Sequence, residues 1–126
     1  MSLVAYSPGA LMAAARSERS LFGLHDAALR AGIVPSVEAL ALAECDLRGK
    51  AATSLAWLLA GCQVVTLDST RALALAGRRH TAKGSLGLLA TEELVSSSRS
   101  PSAIVVDSHE ARHLEIDASI GRLVLS

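Results

Sequence analysis

A chain of 126 residues in which 51% are apolar and only 2% aromatic is long enough for one buried core, and that core has to be built from Ala, Leu and Val rather than from rings. Twelve Lys and Arg balance twelve Asp and Glu, which excludes a global field drawing in nucleic acid or anionic membrane and leaves only local patches for that purpose. Cys45 and Cys62 lack CxxC spacing, no apolar stretch reaches the ~18 residues of a membrane span, and no cationic and apolar leader opens the sequence, so the expectation is a soluble, cytoplasmic chain with reduced thiols and no membrane contact.

The apolar run Leu3 to Tyr6 predicts a buried strand, and Ser7 followed by Pro8 predicts an N-cap and first turn. "PGALMAAARSE" then reads as one helix and "ERSLFGLHDAALRAG" as a second, stopped by Gly32, with His25 and Asp26 taken as solvated. "IVP" is expected to be a short strand, and Ser36 to cap a helix over "SVEALALAECDLR" with Glu38 near its positive end. "KAATSLAWLLAG" is the next helix, placing Trp57 in the core or at a dimer contact, and "CQVVTL" is a Val-rich strand.

Asp68 or Ser69 caps "TRALALAGRRHTA", and a helix within "GSLGLLATEELVSSS" runs into the serine-rich connection 96–102, with Glu92 and Glu93 read as solvated. "AIVVD" is a strand with an acid at its end, followed by a short helical turn through "SHEARHL" and a last strand in "RLVLS". Strands alternating with helices predict a parallel sheet covered on both faces. The expected architecture is a single domain over 1–126, three layers α/β/α, around a mostly parallel sheet of four or five strands.

Three residues fall where such a sheet binds ligands or on the helices beside it: Ser7 after the first strand, Glu44 on the third helix, and Asp107 after "AIVV". Arg78, Arg79 and Lys83 form a local basic cluster able to meet RNA phosphates, although basic residues in a last helical turn also suit the helix dipole. "HEARH", His109 to His113, matches the HExxH pattern of zinc hydrolases. That pattern requires a long supporting helix and a third protein ligand, which a two-turn segment near "EIDASIG" does not offer. No GxGxxG or Walker A loop is present.

The order Ser7, Glu44, Asp107, together with "AYSPGALMAAARSERSLFGLHDAALRAG", "LAEC" and "LAWLLAGCQVVTLD", resembles the PIN-domain family, in particular the VapC-type toxin ribonucleases of toxin–antitoxin pairs, over nearly the whole chain. The resemblance implies an endoribonuclease in which about four carboxylates hold Mg²⁺ or Mn²⁺. The first family acid falls on Ser7, the second on Glu44, and the last on Asp107. The remaining pair falls on Leu86 and Leu89, or with one gap on Gly87 and Ala90, so it is lost. The implied site is degenerate: Ser7, Glu44 and Asp107 stand at catalytic positions, with Glu44 and Asp107 alone able to ligate metal, weakly or not at all. The chain is therefore expected to be either a PIN-like ribonuclease of impaired catalysis or a non-catalytic PIN-like interaction module, with an antitoxin-like protein, RNA and a second copy of itself as the implied partners.

Overall fold

The computed structural model describes residues 2–79 and 85–125. Its strands are β1 (Leu3–Tyr6), β2 (Ser36–Glu38), β3 (Gln63–Val65), β4 (Ser102–Asp107) and β5 (Gly121–Leu125), and its α-helices are α1 (Pro8–Ala15), α2 (Arg19–Arg30), α3 (Ala39–Ala43), α4 (Ala51–Leu59), α5 (Ser69–Arg78) and α6 (Leu86–Ser96). The strands form one parallel sheet in the order β3-β2-β1-β4-β5. The central pairing sets Leu3 opposite Ser102 and Tyr6 opposite Val105.

Alternation along the central strands divides the core into two. Val4, Tyr6, Val37 and Val105 pack on one face with α1, α2 and α4, while Ala5, Ile104 and Val106 pack on the other with Leu88 and Val95 of α6. Three layers, α/β/α, are the result. Helix α1 is buried at every position but Met12, which is why its sequence is apolar all round rather than amphipathic. Alanines at 10, 13 and 14 let it approach both the sheet and α4 closely.

Several local expectations are corrected. "IVP" is not a strand; the pairing residues are Ser36, Val37 and Glu38, and the following helix is only Ala39–Ala43. Glu38 therefore ends a strand rather than starting a helix. It is completely buried, and its Oε2 accepts a 2.6 Å hydrogen bond from Arg71 Nη1. His25 is likewise buried rather than solvated, with its Nδ1 2.8 Å from the Tyr6 hydroxyl. Trp57, by contrast, is 78% exposed, so it is not a core residue. Among the described residues no helix is long and apolar enough to cross a membrane.

Candidate functional site

Strands β2 and β3 extend the sheet on one side of β1, and β4 and β5 extend it on the other. The chain's sense of winding thus changes between β1 and β4, and a crevice beyond the carboxyl ends of the strands is expected there. A cleft of about 380 Å³ opens at that place, with Gly9, Glu44, Asp107, His109, Glu110 and His113 among its walls.

Ser7 leaves β1 in an extended conformation and caps α1, its hydroxyl accepting from the Ala10 N–H at 3.1 Å. The same hydroxyl donates to Glu110 Oε1 at 2.5 Å. Both groups are buried, Ser7 completely. Glu110 Oε1 also accepts from the Asp107 N–H at 3.1 Å, and Oε2 accepts from the Gly9 N–H at 3.0 Å. The Glu110 N–H in turn donates to Asp107 Oδ1 at 2.7 Å. Burial, reinforced by the charge of Asp107, raises the Glu110 pKa, and the hydrogen bonds from Ser7, Gly9 and Asp107 work against that shift.

The close approach explains a glycine. A Cβ at Gly9 would overlap Glu110 Oε1 and Asp107 Oδ2, so only glycine lets the start of α1 meet both carboxylates. A second glycine does the same for Glu44. Its Oε1 accepts from the Gly87 N–H at 2.6 Å, and a Cβ at Gly87 would lie 2.8 Å from its Oε2. Gly87 is one of the positions at which the family resemblance expects an acid; here the backbone N–H stands against the neighbouring carboxylate instead. Cys45, next to Glu44, has its thiol pushed up to about 11 by burial and by the charges of Glu44 and Glu110, so it is a neutral thiol near pH 7.

Of the expected site residues, Glu44 and Asp107 line one cleft, while Ser7 lies beneath it with its hydroxyl directed to Glu110. The histidines of "HEARH" also line the cleft, their ring centroids 5.1 Å apart, but the segment is a four-residue 3₁₀ turn and its glutamate is turned onto Ser7. That is not the helix on which HExxH ligates zinc. In the basic cluster, Arg78 pairs with Glu93 and, at 2.9 Å, with Glu92, while Glu115 lies at 3.7 Å. Glu92 is buried rather than solvated. Arg79 is exposed after α5, and Lys83 lies outside the described residues.

A divalent ion of the Mg²⁺ or Mn²⁺ type needs several oxygens converging on one point. Here both Glu110 oxygens, Asp107 Oδ1 and Glu44 Oε1 are each engaged by a protein donor. Among the described residues no group of three or more His, Cys, Asp or Glu side chains is placed to hold a metal ion. The donor set does not fit the ion.

No protein-family model matches the chain, and no curated protein matches it either. A solved structure of VapBC2 from Rickettsia felis bound to a DNA fragment from their promoter superposes with a TM-score of 0.70, covering 98% of this chain and 99% of that chain at 9% sequence identity. The fold is accordingly PIN/VapC-like.

Proposed function

We propose that residues 1–126 form a single PIN-like domain related to the toxin–antitoxin ribonucleases, in which metal-dependent RNA cleavage is impaired. The observation that carries this reading is the Ser7 hydroxyl, bound at 2.5 Å to Glu110 at the end of the central strand, where the resemblance expects the first acid. Glu44 and Asp107 are the acids retained at catalytic positions, and any residual Mg²⁺ or Mn²⁺ affinity rests on them. Both line the cleft beside an exposed His109, but two carboxylates supply little of the charge that dehydrating such an ion requires.

An antitoxin-like protein and a second copy of the chain are the partners proposed with this reading, with RNA as the substrate class of whatever activity remains. The domain's working place is proposed to be the cytoplasm. Calorimetric titration of Mn²⁺ alongside incubation with a mixed RNA pool tests the proposal. The expected result is no measurable heat at micromolar ion and no metal-dependent cleavage. Tight Mn²⁺ binding with cleavage that disappears in Asp107→Ala would overturn it.

A further inference from the structure

We infer that the carboxylates of this cleft obtain from the chain's own hydrogen-bond donors the compensation that a cation supplies in a metal-dependent site, and that Ser7 and Glu110 form a matched pair in that arrangement. The inference deepens the reading of an impaired site and rests on it. Of the four backbone N–H groups that take part, three lie at the start of a helix or turn: Gly9 on Glu110, Gly87 on Glu44, and Glu110 on Asp107. Helix starts carry unpaired N–H groups and a partial positive charge, so a carboxylate placed there is stabilised without a counter-ion. The Ser7 hydroxyl and the Asp107 N–H supply two further donors, both to Glu110 Oε1.

The carboxylate of Glu110 thus lies against the end of β1, where the resemblance expects an acid, but it comes from the turn after β4 and arrives with both oxygens already hydrogen-bonded. Serine at position 7 is what makes this possible. It caps α1 and donates to Glu110 with one hydroxyl. Aspartate would cap as well as serine does, yet it has no proton to donate at neutral pH and would put a second negative charge within hydrogen-bond distance of a buried first. Restoring the family acid at Ser7 should therefore weaken the protein rather than repair it.

The test compares Ser7→Asp with Ser7→Asn, which keeps the cap and has an amide N–H to offer Glu110, each alone and combined with Glu110→Gln, by thermal denaturation at neutral pH with and without millimolar Mn²⁺. Ser7→Asp is expected to melt at least ~5 °C below Ser7→Asn, a gap of about 1 to 2 kcal/mol for a chain of this size. Adding Glu110→Gln should close most of that gap, and Mn²⁺ should leave the unaltered chain's midpoint unmoved. Equal midpoints for Ser7→Asp and Ser7→Asn, or a gap that Glu110→Gln does not close, would overturn the pairing while leaving the impaired-nuclease reading standing. A rise in the unaltered chain's midpoint with Mn²⁺ that Glu110→Gln abolishes would overturn it differently, by making Glu110 a ligand. If Ser7→Asp does not fold at all, the pairing predicts that Ser7→Asp with Glu110→Gln does; failure of both, while Ser7→Asn folds, counts against it.

Discussion

His25 shows how a single buried side chain writes itself into the pH response. Burial lowers its pKa from 6.5, with nearby Asp26 pulling the other way, and its Nδ1 is 2.8 Å from the buried Tyr6 hydroxyl. A lowered folded-state pKa means that the folded chain favours the neutral ring. Its contribution to stability is present in full above the unfolded value of 6.5 and is lost as pH falls through the interval down to the folded value. For one proton the slope is at most about 1.4 kcal/mol per pH unit. Urea midpoints measured from about pH 7.5 down to about pH 5 should therefore fall less steeply in His25→Gln than in the unaltered chain; parallel curves would mean that His25 takes its proton as easily folded as unfolded. None of this was visible in the sequence, where His25 beside Asp26 looked solvated. Its partner is Tyr6, nineteen positions earlier, and a contact of that kind leaves no local pattern.

At the scale of elements, α6 illustrates why acids can be misread. "TEEL" has the spacing of a solvated helical face, yet Glu92 is buried and Glu93 nearly so, because α5 returns Arg78 to meet both. Burial raises the Glu92 pKa while Arg78 and the Glu115 N–H oppose the rise. Arg78→Ala should accordingly cost about 1 to 3 kcal/mol in urea denaturation without any RNA present, less than a wholly buried pair because Arg78 keeps 28% of its side chain exposed. An unchanged midpoint with weakened RNA retention would instead return Arg78 to the role of a phosphate contact. The strands divide in the same way. β1 and β4 were legible as continuous Val-, Leu- and Ile-rich runs, as fully buried parallel strands should be. β2 was not, since Ser36 and Glu38 are polar and the Ala-rich stretch after them extends the helical pattern backwards; Glu38 is tolerated in the sheet only because Arg71 reaches it from α5. Glu110 was read only as the glutamate of HEARH for a similar reason: the bond that gives it meaning here spans 103 positions.

For the molecule as a whole, the edges of the sheet and the outer helices carry the apolar surface that the core leaves over. Val64 on β3, Leu123 and Val124 on β5, Leu73 on α5 and Trp57 on α4 are all exposed. Trp57 is the sole tryptophan, so tryptophan emission reports on α4 alone. If the proposed homodimer uses that helix, emission should move to the blue as concentration rises, in step with a light-scattering mass approaching twice 13.0 kDa, and Trp57→Ala should hold the mass at the single-chain value. A mass that doubles without a change in emission would place the dimer contact on another face.

The central pairing has a consequence in time as well as in space. β1 precedes the other strands of its sheet in the chain, yet one of its two neighbours, β4, begins at Ser102. Until then the growing chain holds a half-paired strand and a helix, α1, with almost no polar side for water. Local helices can form early, but the sheet closes only when its late strand arrives, and contacts of such long sequence separation are slow to make and exposed to misassembly meanwhile. The cleft is completed late, because Ser7 waits for Glu110: any activity the domain has is withheld until the turn after β4 has been made, so that shorter nascent chains carry the fold's beginnings without its chemistry.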